Sequence, residues 1–234
     1  VFDMPDAACF FGSEGMLGII TELDLIVKPV PEELWAAVFF FDTSKAALEF
    51  ARDCMKIECS LPEGALVSLE YMNKRCLDTI SCFIKNYPAK AIAGRIPENS
   101  RFAVSLDLHG SQFSTLEPLL EAVMQHALDR GTDPDTSWAF SGSTEARQLT
   151  AFRHLAMESA LFLGKPGLNK DAGASHPGLV LDVETGPDQM IKFLGQIETT
   201  LSHEGLTGSI FGSCGTGRFR VALDSGSREQ YDKG

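Results

Sequence analysis

Strand patterns and helix patterns alternate along most of this chain, and this alternation is the strongest constraint on its fold. Short apolar or period-2 segments typical of strands occur at residues 34–41, 65–71, 102–108, 137–140 and 179–183, and as a pair around glycines at 209–223. Helix patterns lie between them, at residues 47–57, 73–83, 116–128, 144–163 and 190–201. This β-α-β order predicts an α+β fold, in which a ferredoxin-like antiparallel sheet carries helices on one face.

The composition is that of a globular protein, with 44% hydrophobic and 22% charged residues among 234. This length suffices for one large domain or two small ones. We find no apolar run that approaches the roughly 18 residues of a membrane-spanning helix. The sequence therefore predicts a protein without a transmembrane segment, located in the cytoplasm, and leaves a peripheral position at a membrane open.

Net charge and cysteine spacing exclude two classes of partner. The formal charge is −12, which argues against nucleic acid, because lysine and arginine supply the affinity for phosphates. This charge does not exclude a small anionic substrate, because local cations could still bind it. The six cysteines form no CxxC pair and no zinc spacing, so we expect reduced thiols.

A glycine-rich turn stands near the start of the chain. Gly12 and Gly15 bracket it, and Gly18 follows before the β-branched and alternating residues 19–27. Glycines reach positive φ easily and let a backbone approach a ligand, while the alternation predicts a strand behind the turn. An ordinary tight turn that leads into an edge strand is the alternative.

The full stretch, FFGSEGMLGIITELDLIVKPVPE at residues 10–32, resembles the last FAD-contacting segment of the FAD-linked oxidases, the superfamily of vanillyl-alcohol oxidase and p-cresol methylhydroxylase. It is most similar to the branch of glycolate oxidase FAD subunits, D-lactate dehydrogenases and D-2-hydroxyglutarate dehydrogenases. The resemblance implies that residues 1–30 end an FAD-binding domain and that residues 31–234 form a substrate-binding cap domain, truncated at its C-terminus. It also implies which residues contact FAD: Gly12, Ser13, Glu14, Gly15, Gly18 and Ile19.

Other FAD-binding segments of this family lie upstream of the glycine turn. We therefore expect FAD to bind the full-length parent, and the chain by itself to bind none and to show no turnover.

Two cations of the second half are implied as substrate ligands by the same resemblance. In the resembling dehydrogenases an arginine and a lysine at the positions of Arg153 and Lys170 hold the carboxylate of a 2-hydroxy acid. A guanidinium can clamp a carboxylate through two parallel hydrogen bonds. A surface arginine and a loop lysine are the alternative. Met157 stands where relatives can offer a hydroxyl. Glu70 lies on a predicted strand and is either an ordinary solvated glutamate or a site residue.

The segment IFGSCGTGRFRVALD at residues 210–224 departs from the metal motif of the family. Relatives carry two histidines, which hold a divalent metal, where this chain has Ser213 and Arg220. Serine is a poor ligand and arginine is none, so we expect no metal. Arg218 and Arg220 could instead bind an anionic substrate, or the activity is lost. His176 is the candidate catalytic base.

Two hypotheses follow. The first is the cap of an FAD-dependent 2-hydroxy-acid dehydrogenase or oxidase acting on a glycolate- or D-lactate-like substrate by hydride transfer to flavin. The resemblance implies an iron–sulfur, flavoprotein or quinone electron acceptor, and a homodimer is open. The second is a non-catalytic ferredoxin-like module that binds a ligand or subunit and has a degenerate metal site.

Overall fold

The computed structural model describes residues 7–27, 30–58, 66–88, 95–163 and 179–223. The chain forms two compact units, Val1–Val30 and Pro31–Gly234. Assigning these units to the end of an FAD-binding domain and to a cap domain stays a prediction.

The larger unit is built on one seven-stranded sheet, in which every pair of neighbouring strands is antiparallel. Its strands are β1 (Glu33–Phe41), β2 (Leu66–Met72), β3 (Phe102–Gly110), β4 (Trp138–Ser141), β5 (Val180–Glu184), β6 (Gly208–Ser213) and β7 (Arg218–Leu223). Their order is β4-β1-β3-β2-β6-β7-β5. The first four strands thus have the 4-1-3-2 order of a ferredoxin-like unit. The predicted α+β class with an antiparallel sheet is confirmed.

In the part of the chain that the structure describes, five helices cover this sheet: α1 (Ser44–Glu58), α2 (Lys74–Asn86), α3 (Phe113–Asp129), α4 (Ser143–Leu163) and α5 (Met190–His203). Apolar residues of α1, α3 and α5 pack into one core, and those of α2 and α4 into another. The two cores lie on opposite faces of the sheet, since alternate residues of β1 enter each of them. The expectation of helices on one face only was therefore wrong.

The sequence of β1 explains why both faces are covered. Phe39 belongs to the core under α1, and its ring lies 5.1 Å from that of Phe50. Phe40 points to the other face and lies 5.1 Å from the ring of Trp138. A strand that is apolar on both sides must bury both, and a single layer of helices cannot do this.

Asn73 connects the start of α2 to the sheet. Its side-chain oxygen accepts hydrogen bonds from the backbone N–H groups of Cys76 and Ile210, both at 3.0 Å. Its amide donates to the carbonyl of Gly208, also at 3.0 Å. This cap therefore fixes α2 against β6, on the face that carries the cleft described below.

The smaller unit contains the glycine turn. A 3₁₀ helix at Ala7–Phe10 precedes it, and Gly12, Gly15 and Gly18 all have positive φ. The strand predicted at residues 19–27 is not formed, and these residues have no regular secondary structure. A strand needs a partner for its backbone groups, and the described residues of this unit contain no second strand. The alternating pattern alone was therefore insufficient.

None of the described helices is long and apolar enough to cross a bilayer.

Cys54, Cys76 and Cys214 are buried as free thiols, whereas Cys9 is an exposed one. Burial raises the pKa of these three buried thiols, which disfavours their reactive thiolate form.

Candidate functional site

A cleft of about 610 Å³ opens on the sheet face that carries α2 and α4. Side chains of β2, β5, β6 and β7 form its floor, and α4 forms its wall. Residues two apart on a strand share a face, so the strands place alternate side chains in it. Its charged or titratable lining residues are Glu70, Arg153, His154, Asp182, Glu184, Arg218 and Arg220.

Arg153 is anchored beneath the cleft by a carboxylate of β3. Its Nη1 lies 3.0 Å from Oδ2 of Asp107 and also donates to the hydroxyl of Ser68. The side chain of Asp107 is only 8% exposed. Burial raises the pKa of Asp107, while the neighbouring guanidinium opposes that rise. The second oxygen, Oδ1, is buried without a hydrogen-bond partner among the described residues.

Arg218 and Arg220 are paired across the β5–β7 ladder. Nε of Arg220 lies 2.7 Å from Oδ1 of Asp182, and Nε of Arg218 lies 3.3 Å from Oε2 of Glu184. The strand register places each pair directly opposite. Nη1 of Arg220 also reaches Sδ of Met157 on α4, at 3.4 Å. Both arginines line the cleft while they bind carboxylates of β5.

Glu70 lies on β2, between Ser105 of β3 and Ser213 of β6 in the strand register. Its side chain is half-buried, which excludes the solvated glutamate considered above. Burial raises its pKa to about 7; Arg153 opposes this rise, and Asp107 adds to it. A carboxyl group in a cleft that is half ionised near neutral pH is a candidate for proton transfer.

The glycines of the 210–224 segment shape the turn beside the cleft. Gly212 has a φ of 151°, and Gly217 has a φ of 69°. A Cβ on Gly212 would lie 2.3 Å from the carbonyl oxygen of Arg218, and one on Gly217 would lie 1.9 Å from that of Thr185. Both glycines therefore permit a close approach of backbones that no other residue allows.

The cleft unites three of the predicted substrate residues, Arg153, Arg218 and Arg220. Lys170 and His176 lie outside the described residues. The six predicted FAD contacts, Gly12 to Gly15, Gly18 and Ile19, belong to the other unit. Within the described part of the chain, no three histidine, cysteine or acidic side chains group as a metal site.

The sequence alone does not identify Glu70 as a site residue. The available signal was the alternation of β2, which separates Glu70 from Leu69 and Tyr71 and assigns it to the opposite face. The sequence could not show that α4 covers that face.

Substitution of Glu70 by glutamine is expected to stabilise the chain increasingly as the pH rises. In the folded state the pKa of Glu70 is raised to about 7, whereas the ordinary pKa of a glutamate is 4.5. Native chain thus binds more protons than unfolded chain in this window, so the wild type loses stability from about pH 4.5 upward. At pH 8 the free energy of unfolding of the variant should exceed that of the wild type by roughly 2 to 3 kcal/mol. Urea titrations at pH 5 and pH 8 measure this difference, and equal differences at both would contradict a raised pKa.

Comparisons with known proteins agree with this fold. No family model matches the chain. It is 25% identical over 230 residues to the probable mitochondrial D-lactate dehydrogenase of Danio rerio, a match that covers 96% of this chain and 40% of the relative. The structure superposes on 4-ethylphenol oxidase from Gulosibacter chungangensis with a TM-score of 0.54 at 10% identity, over 88% of this chain and 43% of that one. An alkyldihydroxyacetonephosphate synthase gives 0.57 at 14% identity, over 100% and 43%.

These matches confirm the resemblance to the FAD-linked oxidases that the sequence indicates. The structural likeness shows the fold. The chain spans less than half the length of each of these relatives.

Proposed function

We propose that this chain supplies the substrate-binding cleft of an FAD-dependent oxidoreductase that oxidises a small 2-hydroxy acid, such as glycolate or D-lactate. The observation that carries this proposal is the convergence of Arg153, Arg218 and Arg220 on one cleft that also contains Glu70. The similarity in sequence to a D-lactate dehydrogenase supports it.

The arginines would hold the substrate carboxylate. Arg220 is suited to this, because its side chain is 43% exposed and its Nε is the atom that binds Asp182. Arg153 uses Nη1 for both of its described hydrogen bonds. Arg218 is the most exposed of the three, and Lys170 would add a further charge. A carboxylate in this cleft would thus meet guanidinium groups that are already oriented.

The glycine turn fits a role in holding FAD. Gly12 and Gly15 have positive φ, and a Cβ built on either would meet no atom within 4 Å, so the backbone is open to a ligand. Ser13 and Glu14 lie between them, and Gly18 and Ile19 follow. When bound, FAD supplies an acceptor for the hydride from C2 of the hydroxy acid.

A divalent metal does not fit the corresponding cleft residues. Ser213 and Arg220 stand where the relatives carry histidines, and Arg220 is a cation that already binds Asp182. The proposed reaction therefore requires no metal, and the arginines would orient the substrate. Electrons would leave the reduced cofactor to a quinone, flavoprotein or iron–sulfur partner, in a cytoplasmic protein.

One observation favours a non-catalytic ferredoxin-like module instead. Each arginine of the cleft already binds a carboxylate of the chain, namely Asp107, Glu184 or Asp182. A cleft neutralised in this way could serve subunit or ligand binding without chemistry.

Anaerobic mixing of the flavin-loaded parent protein with D- and L-2-hydroxy acids tests the proposal. One enantiomer, or the achiral glycolate, is expected to bleach the flavin absorbance equally with and without EDTA, whereas propane-1,2-diol, which lacks a carboxylate, should not. Arg220→Gln should raise the hydroxy-acid concentration at half-maximal rate about 10- to 100-fold, since a hydrogen bond to a charged group is lost.

Arg95→Gln serves as the matched control, because Arg95 is 83% exposed and lines a different cleft. Absence of bleaching by every hydroxy acid would favour the non-catalytic module.

A further inference from the structure

We propose that Glu70 is the base that removes the hydroxyl proton of the substrate in this cleft, a role that rests on the function proposed above. Oxidation of a 2-hydroxy acid requires an acceptor for that proton, and the sequence suggested only His176. The position of Glu70 on the cleft floor offers an acceptor within the described residues.

Glu70 is held in place by the sheet. It belongs to β2, a central strand, and pairs with Ser213 of β6 on one side and Ser105 of β3 on the other. The ladders that β2 forms with β3 and β6 hold its backbone, so Glu70 has a defined position on the cleft floor. A base must be placed in this way, because proton transfer requires hydrogen-bond distance.

The other charged groups at the cleft are less suited to act as the base. Those that line the cleft are Arg153 and His154 on α4, Asp182 and Glu184 on β5, and Arg218 and Arg220 on β7. Behind Arg153 lie Asp107 of β3, which binds it, and His109, which interacts with Asp107. Asp107, Asp182 and Glu184 each hold an arginine. His154 is exposed on α4. By contrast, no hydrogen bond or ion pair joins the side chain of Glu70 to another described residue.

The environment of Glu70 matches a base that operates near neutrality. Burial raises its pKa to about 7, and the guanidinium of Arg153 keeps this rise from being larger. A general base is most effective when its pKa lies near the working pH, because it is then both ionised and sufficiently basic.

The proton and the hydride leave the substrate for different acceptors. The O–H bond of the hydroxy acid breaks, and its proton passes to a carboxylate oxygen of Glu70. The electron pair left on oxygen forms the C=O bond of the 2-oxo acid, while the C2–H bond breaks and the hydrogen leaves C2 as hydride. Bound FAD would supply the acceptor for this hydride. Protonated Glu70 then returns its proton to solvent through the open side of the cleft.

Glu70→Gln in the flavin-loaded parent protein tests this role. The rate of flavin reduction by the active hydroxy acid is expected to fall about 100-fold at pH 8, as is typical when a general base is removed. In the wild type this rate should rise with pH through about 7, because Glu70 must be ionised, and the variant should lose this dependence. Glu70→Asp should restore part of the rate. Glu117→Gln, an exposed glutamate of α3 on the opposite face, should change nothing.

A second measurement does not depend on turnover. Carbon-13 NMR of protein labelled at the glutamate carboxyl carbon should show one signal that titrates near pH 7 and is absent in Glu70→Gln. Titration of that signal at the ordinary glutamate value would overturn the proposal, and so would a variant that reduces flavin at the wild-type rate. If the wild type reduces flavin and the variant does so equally fast, only the role of Glu70 as the base is refuted. If the wild type reduces no flavin with any hydroxy acid, the proposed function is refuted together with the role of Glu70.

Discussion

Gly212→Ala is expected to destabilise the chain by about 4 kcal/mol. Gly212 lies in β6, where its φ is 151° and its Cα faces the next strand of the hairpin. An added methyl group would lie 2.3 Å from the carbonyl oxygen of Arg218 and 2.6 Å from Cα of Phe219. Both contacts are with backbone, which cannot rotate away as a side chain can. The β6–β7 ladder would therefore separate, and with it the strand that carries Arg218 and Arg220.

Gly215→Ala is the matched control. It lies three residues further on, outside the left-handed region, and the nearest atom to its added Cβ is Oγ of Ser213 at 3.9 Å. This distance is an ordinary contact, so the free energy of unfolding in urea should change by less than about 1 kcal/mol. Equal losses in both variants would show that the approach of the two backbones at Gly212 does not limit stability.

The order of strands and helices could be predicted because each element has a local residue pattern. The alternation of residues 102–108 needs no partner to be recognised, and β3 forms there. The predicted start of α2 at residue 73 is likewise local, since Asn73 binds the N–H of Cys76 within its own helix turn. Such signals depend on a few neighbouring residues.

Features that depend on distant partners could not be predicted. Residues 19–27 alternate as a strand would, yet the structure gives them no ladder. The pairs of Arg220 with Asp182 and of Arg218 with Glu184 depend on the register of β5 against β7. The pKa of Glu70 depends on burial, which the sequence of β2 does not contain.

Arg153→Met is expected to destabilise the chain by about 3 to 5 kcal/mol at pH 8. Its guanidinium is the described partner of Asp107, whose carboxylate is 8% exposed and has one oxygen without a hydrogen bond. Removal of the cation would leave a buried charge uncompensated, which is far more costly than loss of a surface pair. Because the pKa of Asp107 is raised by burial, the carboxyl would take up a proton as the pH falls, and the loss should shrink in acid.

Arg218→Met is the control for this substitution. Its pair with Glu184 is exposed at both ends, by 73% and 66%, so its removal should change the free energy of unfolding by less than about 1 kcal/mol. The double variant Arg153→Met with Asp107→Asn should recover part of the lost stability, because no charge then stays buried. A loss below about 1 kcal/mol for Arg153→Met would mean that Asp107 does not require this cation. A fall in activity of an Arg153 variant would then report loss of substrate binding rather than loss of folding.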